Sequence, residues 1–246
     1  MEDENRKKGI FFGIIGVATL IIAIIGATFA YFTATAGSAN NAVDITSFDF
    51  SASVSVNKEF PSSVSNLIPV LTRTIPEGQS VEQDTGKLVA LLNKASDKCI
   101  DENGFAACAL YHITVTNTGI NALTLEGKIV TTDGGQFANL EAQFVTYDET
   151  EQEYALDGDA IAINETAGAS TTLTNPETGS DGVFTVAAQT ETGGTPRPGT
   201  TDFYLVIYLN DTGEAQPDEM GQTYTGQIVF ENTNGTGGQL TAQITV

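Results

Sequence analysis

Cys99 and Cys108 are the only cysteines in the 246-residue chain, and they sit in DKCIDENGFAACALY. A redox role needs a closer C-x-x-C pair, and a metal role needs further thiolates or imidazoles nearby. Neither is present in the local sequence, so a structural disulfide is the expected chemistry for an exported chain. Closing a loop of about ten residues adds roughly 2–3 kcal/mol on the chain-entropy model. His112 is the single histidine. One imidazole excludes an H-E-x-x-H zinc site. A Ser–His–Asp triad would have to use it, yet no G-x-S-x-G elbow occurs. Its parity opposes Tyr111, Ile113 and Val115, which predicts an exposed histidine on a strand face.

Carboxylates gather at Asp97/Asp101/Glu102 beside Asn103, at Asp148/Glu149/Glu151/Glu153 with Asp157 and Asp159, and at Asp211/Glu214/Asp218/Glu219. Oxygen-rich loops of this kind can hold Ca²⁺, although none spells the EF-hand pattern and acidic turns are common in so acidic a chain. Paired carboxylates could also serve a glycosidase. The absence of tryptophan weakens a carbohydrate reading, since sugar sites often use aromatic platforms. No nucleophile set or metal set emerges, so the expectation is a protein that is not an enzyme and needs no cofactor, with calcium the one candidate ion.

The formal charge of −21 is uneven: beyond Lys128 the only basic residue is Arg197. Such a domain repels nucleic acid and anionic lipid. It can collect divalent cations or adhere to basic surfaces, and acidity also simply keeps an exported protein soluble. Charged residues make up 17% of the chain, below the average of about 25%. Thr, Ser, Asn, Gln and Gly take their place, a composition suited to an extracellular β-protein.

The strongest placing signal is residues 10–32, IFFGIIGVATLIIAIIGATFAYF, a stretch of 23 without a charged or amide side chain. A bilayer-spanning helix needs about 20 such residues. Arg6, Lys7 and Lys8 precede it and are expected to stay cytoplasmic, which sends the C-terminus outward. Thr28-Phe29-Ala30 offers a signal-peptidase site with cleavage before Tyr31, and Ala34-Thr35-Ala36 offers another before Gly37. An uncleaved anchor and a cleaved leader are both open. The protein is expected at the membrane with its C-terminal domain outside, or secreted.

Residues 1–32 thus form the tip and helix, 33–42 a polar linker, and 43–246 the extracytoplasmic domain. Residues 43–56 alternate Phe48, Phe50, Ala52, Val54 and Val56 against Ser and Asp, which predicts a half-buried strand. Val43 and Ile45 lie on the opposite parity, which predicts a bulge near Thr46 or Ser47. Pro61, Pro69 and Pro76 punctuate an insert at about 57–98, within which Leu88, Leu91 and Leu92 predict one short helix over 87–96. Strands are predicted at 110–117, 123–131, 140–147, 160–164, 171–174, 183–187, 202–209, 223–230 and 240–246. The run DFYLVIYL is apolar on both parities, as a central strand would be. Short strands between Gly/Asn/Asp turns predict a mainly β fold, an antiparallel sandwich or jelly roll.

GATFAYF, followed by a short polar stretch and the alternating strand from Val43, resembles the N-terminus of the TasA/camelysin family. These are secreted β-sandwich proteins of Gram-positive cells. The resemblance implies a cut after a Thr-aromatic-Ala triplet, here Thr28-Phe29-Ala30. It also implies a jelly-roll-like fold and fibre assembly in a biofilm matrix. In such assembly a freed N-terminal strand, here carrying Phe48, Phe50, Val54 and Val56, completes the sheet of the next subunit. The Cys-acidic-Gly-Cys loop running into ITVTNTG and the stretch DTGEAQPDEMGQTYTG are similar to membrane-anchored surface proteins with like starts. The apolar run is longer than in that family and the insert at 57–98 is foreign to it. The peptidase activity attached to some camelysin relatives finds no metal-binding motif here.

Overall fold

The computed structural model describes residues 43–47, 50–61, 67–70, 73–74, 82–83, 86–175, 182–192, 194–233 and 238–246. The apolar run at 10–32, the cleavage residues Thr28, Ala30 and Tyr31, the linker and Phe48 lie outside them. Among the described residues no helix is long and apolar enough to cross a membrane.

In chain order the strands begin with β1 (Val43–Ser47), β2 (Phe50–Phe60), β3 (Pro69–Val70), β4 (Arg73–Thr74) and β5 (Glu82–Gln83), followed by helix α1 (Gly86–Leu92). Next come β6 (Cys108–Asn117), β7 (Leu123–Asp133), β8 (Leu140–Asp148), β9 (Glu153–Ala162), β10 (Ser170–Thr172) and β11 (Val183–Val186). β12 (Thr190–Thr192), β13 (Thr195–Arg197), β14 (Gly199–Asn210), β15 (Thr225–Asn232) and β16 (Gln239–Thr245) complete the series. The large sheet runs β1-β2-β6-β14-β8-β9, with β3 added in parallel at the end of β14. The smaller sheet runs β10-β7-β15-β16, with β11 also on β7. Apart from β3 every pairing is antiparallel, and neither sheet closes into a barrel. The fold is mainly β, as the alternating segments predict.

The run read as apolar on both parities is indeed a central strand. β14 pairs with β6 from Gly199↔Asn117 to Tyr208↔Cys108, and with β8 from Tyr204↔Val145 to Leu209↔Leu140. Its odd residues Leu205, Ile207 and Leu209 enter one core, and its even residues Val206 and Tyr208 enter another. The first core lies between the two sheets. Tyr111, Ile113 and Val115 of β6 meet Leu125 and Ile129 of β7, Ile228 and Phe230 of β15, and Leu240 and Ile244 of β16. The second core covers the opposite face of the large sheet. There Leu88 and Leu92 of α1 are wholly buried against Leu110, Val145, Val206 and Tyr208. The predicted helix exists, shorter than its leucine spacing suggested.

Two expectations are corrected. Residues 43–56 are not one bulged strand but a hairpin, with Ser47↔Phe50 and Val43↔Val54 in register. The fold-back sets odd positions of β1 opposite even positions of β2, so the parity slip in the sequence records a turn. β2 is therefore an interior strand between β1 and β6, and Val54 and Val56 are buried in the shared core. A donor strand built on those two residues would have to uncover β6. The strand expected at 160–164 is the far end of β9, which begins at Glu153. Its acidic residues read as loop because it is an edge strand with little burial, where charge is tolerated.

Candidate functional site

The feature with the densest chemistry lies on the outer face of the large sheet. Alternation in β6 turns Ile113 and Val115 inward and His112 and Thr114 outward, half-buried. Register sets Tyr204 of β14 opposite His112, and Asp202 opposite Thr114. His112 Nε2 lies 3.1 Å from Asp202 Oδ1, and Nδ1 lies 3.7 Å from Glu59 Oε1. The ring stacks on Tyr204 at 4.6 Å between centroids. His112 is thus on the outer face, as its parity predicts, but only 26% exposed. Thr114 donates its hydroxyl proton to Asp202, the same carboxylate that His112 meets. Both ring nitrogens face carboxylates and the hydroxyl is not presented to the imidazole, so the three groups are not arranged for nucleophile activation.

Beside this group Tyr147, Tyr154 and Tyr204 form a cluster with centroids 4.6–6.1 Å apart. Burial, and then the neighbouring Tyr204, Glu59 and Tyr147, push the Tyr154 phenol up to about 12. Burial also raises the Tyr204 phenol, with Glu59 and Asp202 adding to it. Lys98 holds its ammonium 4.9 Å above Tyr154 and 5.7 Å from Phe60, and donates to Leu92 O at 3.0 Å. One end of the aromatic cluster therefore already carries a cation from the chain itself.

β14 and β8 part company at the other end. Beyond the pair Tyr204↔Val145, among the described residues Gly199 to Phe203 pair only with β6, and Thr146 to Asp148 only with β9. The parted strands open a cleft of about 420 Å³ with Phe144, Phe184 and Phe203 among its walls and Tyr147, Tyr204, Asp157 and Asp202 around them. Among the described residues no lysine or arginine lines it.

Comparison with known proteins finds no matching family model and no matching curated protein.

The remaining predicted site residues are spread over the domain. Cys99 and Cys108 stand at disulfide-bonding distance with Cα atoms 4.9 Å apart, at the base of the second core. In each carboxylate cluster one member is spent on its own turn. Asp101 accepts the Asn103 and Phe105 N–H groups at 2.9 and 2.7 Å. Desolvation pushes its carboxyl up, but these hydrogen bonds outweigh it and leave the group below the ordinary value. Asp148 accepts from Thr150 N and Glu151 N, and Asp211 from Gly213 N. Glu219 is a latch: 6% exposed, it accepts from Ala138 N, Asn139 N, Asn139 Nδ2 and Gln216 Nε2. Burial raises its carboxyl and those four donors together more than reverse the effect. Among the described residues no three His, Cys, Asp or Glu side chains are gathered as a metal set. The tyrosine cluster escaped sequence reading. Its signal was there in Tyr147 and Tyr204, aromatic residues at wet-parity positions of strands that turn out to be neighbours.

Proposed function

We propose that this chain is an exported structural protein of the cell surface or extracellular matrix, with a jelly-roll-like sandwich that assembles by strand addition at β1. Residues 10–32 carry the domain across the membrane, as an anchor or as a leader removed before Tyr31. The observation that supports assembly is the contrast between the two borders of the large sheet. At β9, Asn93 Nδ2 donates to Tyr154 O at 2.8 Å, and Tyr154 N donates to Asn93 Oδ1 at 2.7 Å, so a side chain occupies the hydrogen-bonding edge. Between the pairs Phe144↔Asp157 and Ala142↔Ile161, three residues of β9 oppose one of β8, a bulge containing Gly158 at φ +68°. These are devices that stop strands from adding. At β1 no described strand pairs with the outer edge.

The donor in this reading is the arm before Val43, which adds to the outer edge of β1 on the next subunit, while β1 and β2, the latter bearing Phe50, Val54 and Val56, stay in place. A retained helix tethers the arm; cleavage before Tyr31 frees it. Intact-mass analysis of the exported protein, paired with electron microscopy of the same material, tests the assignment. Fibres from chains that begin at Tyr31 are expected. A Tyr31 species that stays monomeric at high concentration would sink the assembly, and a product still beginning at Met1 would sink the free-arm version.

A further inference from the structure

We infer that the cleft between β14 and β8 is a docking site for an arginine side chain carried on an extended segment of a basic partner protein. The case is separate from the assembly at β1 and rests on three properties of one place. The first is backbone. Gly199 to Phe203 on one side and Thr146 to Asp148 on the other are strand edges with a partner on one flank only among the described residues. An extended peptide adds to such an edge through its main chain.

The second is shape and polarity. The walls include Phe144, Phe184 and Phe203, with ring centroids 5.3–5.9 Å apart. Phe144 and Phe184 belong to the inner core, and the half-buried Phe203 is the ring open to the methylene stem of a long side chain. Tyr147 and Tyr204 also line the cleft; one face of Tyr204 is stacked on His112, and a planar guanidinium would stack on the ring of Tyr147 or the other face of Tyr204.

The third is charge. Asp157 and Asp202 line the cleft with no lysine or arginine among the lining residues, and Glu149 adds to the negative potential at Tyr204. At the other end of the same tyrosine cluster, Lys98 shows what such a surface accepts, an ammonium 4.9 Å over Tyr154. The cleft end has rings and acids, with His112 against Asp202 and no lysine or arginine among the described lining residues. Asp202 keeps His112 and Thr114 whatever binds, but a neutral or acidic ligand would desolvate the Asp157 carboxylate without a counter-charge, which costs free energy.

The test uses the full-length chain in neutral-detergent micelles and a capped heptapeptide of alternating Thr and Val with one central arginine. Calorimetry and tyrosine fluorescence compare it with the peptide carrying citrulline, which keeps the shape and loses the charge. The arginine peptide is expected to bind about tenfold tighter, the effect of roughly 1.4 kcal/mol of ion-pair and cation–π attraction. Replacing both Asp157→Asn and Asp202→Asn is expected to abolish that preference, while Glu151→Gln with Glu153→Gln, equal in charge but outside the cleft, leaves it within twofold. Because Asp202 also holds His112 and Thr114, Asp157→Asn alone serves as the variant that spares the sheet, with an expected loss of about threefold. Equal binding of the two peptides overturns the assignment. So does an equal loss of preference in the control pair, which would trace binding to the overall acidic field.

Discussion

The large sheet has two faces built on different terms. The inner face is closed by a second sheet, and its residues come from regular alternation along long strands. Phe144, Phe184, Phe203 and Phe230 link four strands through ring contacts at 5.3–5.9 Å. Among the described residues no second sheet covers the outer face. It is covered by seven residues of helix, a cysteine loop and a cation over aromatic rings. The difference teaches where stability and where chemistry reside: dry, redundant packing on one side, and single tethers around half-buried polar groups on the other.

The largest test of this contrast is truncation of one ring on each face. Phe230→Ala removes a fully buried ring in contact with two others and is expected to cost about 3–5 kcal/mol in urea unfolding. Tyr154→Ala on the outer face removes a half-buried ring and should cost about half as much. Equal losses would mean the outer layer is as much a core as the inner one.

Next in size is the cysteine loop. Cys99→Ala with Cys108→Ala releases a loop of about ten residues and should cost about 2–3 kcal/mol. The loss is expected to fall on the outer face, since both cysteines pack with Leu88 and Leu92 of α1. Amide exchange should therefore accelerate in α1 well before it does in β15. Uniform acceleration would show that the two faces unfold as one unit.

The inner face was the legible one. Period-two alternation in β6, β7, β15 and β16 marks which residues are buried, and the double-parity run in β14 marks the strand with a core on each side. What stayed illegible depends on contacts distant in sequence. Nothing local says that Asn93, just past a helix, will cap Tyr154, or that His112 will lie between Glu59 and Asp202. A hairpin at 47–50 and a bulge give the same parity slip, because both move one set of side chains onto the other register. The tyrosine cluster needs the strand order β6-β14-β8-β9, and alternation within a strand does not specify which strands are neighbours.

Asn93→Ala probes the outer face at its border and should be smaller than the disulfide in effect. Two hydrogen bonds to Tyr154 are lost, leaving its N–H and C=O to water, for about 1–2 kcal/mol. The sharper readout is association: with the side chain gone, β9 regains an open edge, and concentration-dependent light scattering should rise. Scattering that stays at the native level would show that the bulge at Gly158 alone protects this border.

The smallest effect concerns a charged residue set on the inner face. Lys58 sits at an inward-parity position of β2, paired in register with Tyr111, and its ammonium donates to Thr245 O at 3.2 Å. Burial lowers its pKa from 10.5 to about 8. Below pH 8 both the folded and the unfolded chain hold the proton, so the cost of burying the charge is present in full. Between about 8 and 10.5 the unfolded chain binds more protons than the folded one, and stability rises with pH through this residue. Above about pH 10 the tyrosines oppose it: burial raises Tyr111, Tyr154, Tyr204 and Tyr224, so the unfolded chain loses phenolic protons first. Lys58→Met keeps the stem and removes the charge. It is expected to stabilise the domain by about 1 kcal/mol at pH 7, the partial exposure of the ammonium limiting the gain. It should also flatten the rise between pH 7.5 and 9.5. Urea midpoints for both chains across that interval decide it. Parallel curves would mean that the ammonium stays hydrated, so that the inner face contains no buried charge.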